Sequence, residues 1–198
     1  MVNVILFRAQ PFHNGHMSIV KKAYLDSITH KCPLYIFIGS ANKYNTMRNP
    51  LHVAIRRTLI EQSLIEEGVI TVEELFNNSG LVHIVELKDL SDEANNTHSW
   101  GEYLFHSIIR YTNDSDITFW YTDNPAIMLS WFGPAEAEHI RYKFLPRTGD
   151  ICATKVREAI LKQDWEALQN MVPNAVYREK DEIYETLKLI YEQGDFDK

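Results

Sequence analysis

The sequence predicts an α/β protein with an open parallel sheet of about five strands and helices on both of its faces. Short apolar runs alternate along the chain with longer segments in which apolar residues recur every three or four positions. Such an alternation is typical of parallel sheets whose strands are joined by right-handed helical crossovers. The first run, residues 2–7, is apolar almost throughout, which indicates a strand buried on both faces.

Four further apolar runs supply the remaining strands. They lie at residues 33–40, 81–87, 116–122 and within 137–146. A polar loop, residues 41–49, follows the second strand. Residues 70–80 fit neither the strand pattern nor the helix pattern, and we expect a surface insertion there.

Helix boundaries are predicted from capping residues. Asn14 is a suitable N-cap for a first helix that runs to about residue 28. Asn49 as N-cap and Pro50 at the first helical position predict a second helix, which stops at Gly68. Later helices are expected over residues 98–111, over 125–131 and in three segments after residue 150.

The composition is that of an ordinary globular protein. The chain has 198 residues, 45% apolar and 24% charged, which is enough for one α/β domain with a full core. We expect that domain over residues 1–170, with a helical tail over 171–198 packed on it. No apolar run is long enough to span a membrane, and the N-terminus begins as a strand and not as a signal peptide. With only two cysteines, Cys32 and Cys152, these features predict a cytoplasmic protein without disulfides.

The net charge of −7 is unevenly distributed. Residues 1–60 hold eight Lys and Arg residues against one acid, whereas the rest of the chain holds 12 against 26. An acidic protein is a poor candidate for binding nucleic acid, because such binding needs a broad basic face. A local basic region on an acidic body favours a small anionic ligand. Four of the basic residues are expected mostly on solvated helix faces, namely Lys21, Lys22, Arg56 and Arg57.

Polar segments follow the predicted strands. Ligands of an open parallel sheet bind beyond the carboxyl ends of the strands, so we expect these segments to surround one cleft. They are residues 8–16, 39–48, 91–100, 123–124 and 154–157.

The segment after the first strand carries two histidines three residues apart. His13 and His16 lie where a helix begins, and free backbone N–H groups and the helix dipole favour an anion at that point. Both imidazoles face the same way and can donate to phosphate oxygens, while Gly15 permits close approach of a ligand. Arg8 adds a permanently charged, forked donor.

Basic residues recur near two later helix starts. Arg48 precedes the second helix, and Lys155 and Arg157 lie in the first turn of a later helix. Cations at helix N-termini oppose the helix dipole unless an anion neutralises them. Together with the histidines, these residues predict a polyphosphate site. The alternatives for His13 and His16 are helix-start capping and a zinc pair, and a zinc site would need further ligands at a recognisable spacing, of which none is evident.

Two common phosphate-binding motifs are absent from the sequence. The chain has neither the G-x-x-x-x-G-K-[ST] loop of Walker-type kinases nor, after its first strand, the G-x-G-x-x-G turn of dinucleotide-binding dehydrogenases. Both of these protein classes are therefore disfavoured.

Two other segments match known signatures. Residues 8–16, RAQPFHNGH, resemble the H-x-G-H signature of the nucleotidylyltransferase superfamily, and residues 151–157, ICATKVR, resemble its second signature, I-S-x-T-x-[IV]-R. Together with IGSANKYNTMRNP at 38–50 and TDNP at 122–125, they look most like the archaeal-type nicotinamide-nucleotide adenylyltransferases. The resemblance runs from about residue 2 to residue 170 and implies a Rossmann-like sheet.

The resemblance also implies a reaction and a set of residues. The 5′-phosphate of nicotinamide mononucleotide (NMN) would attack the α-phosphorus of ATP, giving NAD and pyrophosphate without a covalent enzyme intermediate. The implied catalytic residues are His13, His16 and Arg157. Those implied to bind ATP are Arg8, Gln10, Gly15, Arg48, Thr154 and Lys155, and those implied to bind NMN are Ser40, Trp100 and Asn124. Mg²⁺ would bridge the phosphates with few direct protein ligands, and relatives commonly form homo-oligomers.

Three of the implied ligand residues have structural alternatives. Thr154 can equally serve as the N-cap of its helix. Trp100 is as consistent with core packing as with a platform for the nicotinamide ring, because aromatic residues at helical spacing usually belong to the core. Asn124 before Pro125 can cap a short helix whatever else it contacts.

The chain departs from the family at four positions. Phe7 stands where the family usually has glycine and Ala9 where it has an aromatic residue, so Phe7 could crowd the nucleotide. Cys152 and Ala153 replace the usual Ser and the Gly or Ser of the second signature, which removes a hydroxyl donor. These departures leave two alternatives open. One is a nucleotidylyltransferase for pantetheine phosphate, a flavin or a phospho-alcohol, and the other is a weakly active nucleotide-binding sensor.

Overall fold

Five parallel strands form the sheet of the computed structural model, which describes residues 1–90, 97–122, 125–147 and 149–193. The strands are β1 (Val2–Phe7), β2 (Leu34–Ile38), β3 (Val82–Glu86), β4 (Ile117–Tyr121) and β5 (Ile140–Phe144). Their order is β3-β2-β1-β4-β5, and every neighbouring pair is parallel. The predicted strands are confirmed.

Helices connect the strands and form the C-terminal part of the chain. Those described are α1 (Asn14–His30), α2 (Val53–Glu66), α3 (Val72–Asn77), α4 (Thr97–Thr112), α5 (Pro125–Leu129), α6 (Pro134–Ala137), α7 (Ala153–Leu161), α8 (Trp165–Met171), α9 (Asn174–Arg178) and α10 (Lys180–Gln193). None of the helices in the described ranges combines the length and the apolar character that crossing a bilayer requires.

The helices cover both faces of the sheet. One apolar core lies between the sheet and helices α1, α2 and α7–α10, and its buried members include Ile5, Leu59 and Ile160. A second core lies between the sheet and helices α4 and α5, and includes Val4 and Leu104. Successive strand residues point to opposite faces, so Val4 and Ile5 enter different cores, which explains why β1 is apolar along its length. The predicted Rossmann-like parallel sheet with helices on both faces is confirmed.

The C-terminal helices pack on the first core. Val176 of α9 and Ile183 and Leu187 of α10 are buried in it, and α10 lies against α7 while α9 lies against α2. Residue 170, the expected end of the main domain, falls in the last turn of α8. The division into residues 1–170 and 171–198 stays a prediction.

Two predicted helix starts are wrong. The N-cap of α1 is His13 and not Asn14, which is the first helical residue. Helix α2 begins at Val53 with His52 as its N-cap, and not at Pro50 after Asn49. The physical reason is a hydrogen-bonded loop before α2, in which Asn45 N–H donates to the Pro50 carbonyl at 3.3 Å.

Residues 70–80, expected to be an insertion, contain the short helix α3. Thr71 and Glu74 form a reciprocal capping box at its start, since each side chain accepts the backbone N–H of the other residue. The T-x-x-E spacing is a known helix-start signal that the sequence prediction missed. The surface position is nevertheless correct, because no residue of α3 is buried.

The order of the strands determines where a ligand can bind. The chain runs from β1 to β2 and β3, and then returns to the other side of β1 to form β4 and β5. The order in which strands are added to the sheet therefore reverses between β1 and β4. A crevice is expected at this point, beyond the carboxyl ends of the two strands. Residues 8–16 continue from β1 at that edge of the sheet.

Candidate active site

The two histidines of the H-N-G-H segment cap helix α1 with their imidazoles. Nδ1 of His13 accepts the backbone N–H of His16 at 3.4 Å, and Nδ1 of His16 accepts the backbone N–H of His13 at 3.3 Å. A ring nitrogen that accepts carries no proton, so each neutral imidazole has its hydrogen on Nε2. The capping arrangement thus determines the tautomer of both rings and leaves Nε2–H as the donor that a ligand can use.

Burial keeps both imidazoles neutral. The rings stack with centroids 3.7 Å apart and planes inclined by 20°. Removal from water, and to a smaller extent the nearby positive charge of Arg147, lower the pKa of His13 to about 4. The pKa of His16 also lies well below its usual value, because of burial first and then the charges of His13 and Arg147. At neutral pH the pair therefore offers uncharged donors.

Gly15 makes room for the His13 ring. An added Cβ at Gly15 would lie 3.0 Å from two atoms of that imidazole and 3.8 Å from the carbonyl oxygen of Ile151. The absence of a side chain thus lets the His13 ring and the segment before α7 approach the start of α1. Gly15 supports the site through packing, whether or not a ligand also contacts it.

Aromatic side chains hold the His16 ring from the other side. The Phe7 ring lies 4.6 Å from it, centroid to centroid, and the Phe12 ring stacks on it at 5.5 Å. Phe7 and Phe12 also contact each other at 5.6 Å. The Phe7 side chain, which was expected to crowd the nucleotide, thus contacts the His16 imidazole and helps to shield that imidazole from water.

Arg157 joins the two signature segments. Its Nη1 donates to the backbone carbonyl of Gln10 at 2.8 Å, and its Nη2 lies 3.4 Å from the Thr154 hydroxyl oxygen. Partial burial lowers the pKa of its guanidinium, and this group keeps its charge at neutral pH. Residues 147 positions apart in the chain are thus placed together, as the motifs predicted.

The start of α7 differs from the prediction. Cys152 and not Thr154 occupies the N-cap position, and its side chain makes no capping hydrogen bond. Thr154 is the second residue of the helix and is exposed, and Lys155 beside it forms an ion pair with Asp150. The alternative role of Thr154 as an N-cap is therefore wrong, and the N–H groups of the first turn receive no side-chain cap.

Gln10 is placed differently from the expectation. Its side chain is buried, donates to the Leu51 carbonyl at 3.0 Å and accepts the Leu51 N–H at 2.9 Å. Both ends of the amide are thus used to hold the loop before α2, so the side chain is a support for the site. The predicted contact of this amide with ATP has no support in its position.

Arg56 is a residue that the sequence analysis misplaced. Its side chain is completely buried and donates to the carbonyls of Arg8, Gly39 and Ser40, at 2.8, 2.8 and 2.9 Å. Burial lowers the pKa of its guanidinium to about 10, and the negative charges of Glu86 and Asp89 partly offset this. The signal was available, because position 56 lies three residues from both Val53 and Leu59 on the buried face of α2.

The remaining predicted ATP ligands lie at the surface. Arg8 and Arg48 are exposed. Arg147, which the sequence analysis missed, is also exposed and lies near enough to lower the pKa of both histidines. Its position five residues before the second signature segment's Cys152 was the only sequence clue.

The three predicted NMN ligands differ in what the structure shows of them. Ser40 is buried in a left-handed conformation (φ 51°), and its hydroxyl donates to Asp89 at 3.2 Å. Trp100 is half-buried in the second core, against Tyr103 at 5.7 Å and Trp131 at 6.4 Å, which supports its core alternative. Asn124 lies outside the described residues. Among the described residues, no group of three or more His, Cys, Asp and Glu side chains is arranged to hold a metal ion.

Comparisons with known proteins agree with the two signatures. No protein-family model matches the chain. It is 29% identical over 182 residues to a nicotinamide-nucleotide adenylyltransferase of Methanococcus aeolicus, which covers 91% of this chain and 88% of that one. A protein of the same name from Picrophilus torridus is 34% identical over 87 residues, about half of its length.

The fold is shared with a solved structure. A bifunctional NMN adenylyltransferase/ADP ribose pyrophosphatase from Francisella tularensis matches with a TM-score of 0.68 at 16% identity. The match covers 100% of this chain and 58% of that protein, so the chain spans little more than half of it. The same protein is also known in complex with AMP and manganese, with a TM-score of 0.65. The near full-length sequence similarity makes this chain similar to archaeal nicotinamide-nucleotide adenylyltransferases, in agreement with the paired signatures, and the solved structure shares its fold.

Proposed function

We propose that this protein transfers the adenylyl group of ATP to NMN, forming NAD and releasing pyrophosphate. The observation that carries the proposal is the 2.8 Å hydrogen bond from Arg157 to the Gln10 carbonyl. It places the guanidinium of the second signature beside the segment that carries His13 and His16. Imidazole and guanidinium donors are thereby gathered at the start of α1, as a triphosphate requires.

The reaction needs positioning and charge stabilisation, and no protein base. A phosphate oxygen of NMN, already ionised at neutral pH, forms a bond to the α-phosphorus of ATP while the bond to the bridging oxygen of pyrophosphate breaks. No proton has to be removed from the nucleophile. The protein holds the two phosphates in line and stabilises the negative charge of the pentavalent transition state.

The histidines act as neutral hydrogen-bond donors in this scheme. Their Nδ1 atoms are occupied by backbone N–H groups, so each ring presents Nε2–H. A donor that is already desolvated and oriented needs no rearrangement when charge develops on the phosphate. His16, held between His13, Phe7 and Phe12, is the residue we assign to the transition state.

Fixed positive charges bind the triphosphate. Arg157 lies beside the histidine segment, and we expect four exposed cations to join it in binding the triphosphate: Arg8, Arg48, Arg147 and Lys155. The uncapped first turn of α7 adds backbone N–H donors. Mg²⁺ enters as part of the MgATP substrate, where it bridges phosphate oxygens and neutralises part of their charge. A solved complex of the Francisella protein contains AMP and a manganese ion, which is consistent with a need for a divalent metal.

The acceptor pocket and the setting of the protein complete the proposal. NMN binds near Ser40 in this proposal, with Trp100 and Asn124 as the further acceptor ligands that the family resemblance implies. Two free thiols, Cys32 and Cys152, support a reducing, cytoplasmic setting.

A homo-oligomer is a further expectation, which size-exclusion chromatography with light scattering tests.

A panel assay tests the function. The protein is incubated with ATP, Mg²⁺ and one phosphate acceptor at a time, and pyrophosphate release is followed. Pyrophosphate release that depends on NMN, with formation of NAD, supports the proposal. Release that depends instead on pantetheine phosphate, a flavin or a phospho-alcohol would identify a nucleotidylyltransferase with another acceptor. Tight binding of ATP or NAD without any pyrophosphate would identify a nucleotide sensor.

A further inference from the structure

The buried guanidinium of Arg56 continues the connection between β1 and β2 beyond the end of their hydrogen-bond ladder. The strands pair as far as Phe7 and Ile38, and the last ladder bond runs from Gly39 N–H to the Phe7 carbonyl at 2.9 Å. From that point the backbone carbonyls of the two segments no longer face each other's N–H groups. Those of Arg8, Gly39 and Ser40 all accept from Arg56.

These three carbonyls belong to the segments that carry the candidate site. Arg8 begins the segment that leads to His13 and His16, and Ser40 is a predicted ligand of NMN. The position of Arg56 therefore sets the separation between the phosphate-binding segment after β1 and the acceptor-binding segment after β2. In the proposed reaction that separation corresponds to the distance between the two substrates.

Only a guanidinium suits this position. Two nitrogens of one planar group reach three carbonyls, whereas the ammonium of lysine is a compact point charge on a flexible stem. The hydrogen bonds of Arg56 within the described ranges all go to neutral carbonyls, and its Nε is buried without a partner. Burying a cation in this way is costly, so a role beyond packing would explain why arginine stands here.

We propose that Arg56 is a positioning residue, which holds the segments after β1 and β2 in the register that the reaction needs and keeps a positive charge below them. The inference rests on the proposed adenylyl transfer. It extends that proposal by assigning a role to a residue that contacts neither substrate.

Arg56→Lys and Arg56→Gln test the inference, with Arg57→Lys as the matched control. Lysine keeps the charge without the fork, and glutamine keeps N–H donors without the charge. Arg57 is the next residue of the same helix turn, but its partners are the side chains of Glu61 at 2.7 Å and Glu86 at 3.6 Å. For each variant, folding is checked by circular dichroism, kcat and both KM values are measured, and the ring signals of His13 and His16 are recorded by NMR.

We expect the Arg56 variants to remain folded while kcat falls roughly tenfold to a hundredfold, the cost of a small misplacement of reacting groups. The histidine ring signals should shift in both variants. Arg57→Lys should change kcat less than about twofold, because Arg57 is only half-buried and its partners are side chains of Glu61 and Glu86 and not the carbonyls of the site segments.

Three results would overturn the inference. The first is an unchanged kcat in the folded Arg56 variants, and the second is an equal change of kcat in the Arg56 and Arg57 variants. The third is loss of the folded circular dichroism signal in both Arg56 variants, which would assign Arg56 to the core alone. If the unmodified protein releases no pyrophosphate with NMN, the proposed function fails. The role of Arg56 is then judged from calorimetric ATP affinity and from the histidine signals, which do not depend on turnover.

Discussion

The imidazole rings of His13 and His16 stack 3.7 Å apart, and each ring accepts the backbone N–H of the other residue. The two side chains that cap the helix are therefore also the ones that we propose to bind the ligand. The cap uses Nδ1, and the ligand is expected to use Nε2–H. Because the two ring nitrogens have separate functions, substitutions at these histidines should affect turnover, and a change of pH should affect stability.

The first prediction concerns His16. Replacing His16 with alanine removes one cap acceptor, which costs about 1 kcal/mol of the free energy of unfolding. It also removes a donor to the transition state, so turnover should fall by roughly a hundredfold to a thousandfold. Steady-state kinetics and urea unfolding measure the two effects. His30→Ala, at the exposed end of the same helix, is the control, and a rate unchanged in His16→Ala would contradict the mechanism.

The second prediction concerns stability at acid pH. The pKa of His13 is about 4 in the folded protein, against about 6.5 in the unfolded chain. Above pH 6.5 the ring is neutral in both states, and its contribution to stability is complete. As the pH falls from 6.5 towards 4, the unfolded chain binds the proton first, and about 3 kcal/mol is lost.

Urea unfolding at several pH values measures this loss. Carboxylates also lose stabilising contacts in acid, so the comparison is with His13→Asn, which cannot titrate in this range. The difference in the free energy of unfolding between the two proteins should narrow between pH 6.5 and 4. Parallel curves for the two proteins would mean that His13 is not held neutral by burial.

The third prediction concerns the amide of Gln10. Gln10→Leu keeps the volume but leaves the N–H and the carbonyl of Leu51 without their partners at 2.9 and 3.0 Å. An unsatisfied buried polar group costs about 1–3 kcal/mol, so the melting temperature should drop by several degrees. Differential scanning calorimetry measures the shift, and Gln62→Leu, exposed on α2, is the control. If both variants melt like the unmodified protein, the Leu51 contacts contribute nothing to stability.

Sequence patterns predicted elements better than they predicted helix starts. The apolar runs located the five strands of the described residues, and the signal is strongest for β1, β2 and β4, which are largely buried at the centre of the sheet. The start of α2 was wrong because Asn49 and Pro50, good capping residues by type, lie in a loop held by Thr46 and Gln10. Capping preference is a local property, and a contact from a distant segment can override it.

The candidate site was also predicted only in part from local sequence signals. The H-N-G-H and T-K-V-R segments predicted the family resemblance and the candidate cations, because such residues at those spacings are uncommon elsewhere. The burial of Gln10 and Arg56 was not predicted, since Gln10 was expected to contact ATP and Arg56 to lie on a solvated helix face, where charged side chains usually lie. The residues next to Gln10 and Arg56 in the chain do not indicate which groups these two side chains bond. Their partners are carbonyls and an N–H group that lie 16 to 48 positions away.

By itself, then, the sequence determined the fold class, the edge of the sheet where the site lies and the chemistry of its charged residues, since periodicity and motif spacing are written along the chain. Only the tertiary structure decided the tautomers of His13 and His16, the burial of Arg56 and the contact of Arg157 with Gln10. These properties depend on which groups meet in space after folding, because a buried hydrogen bond or a lowered pKa is set by neighbours and not by residue type.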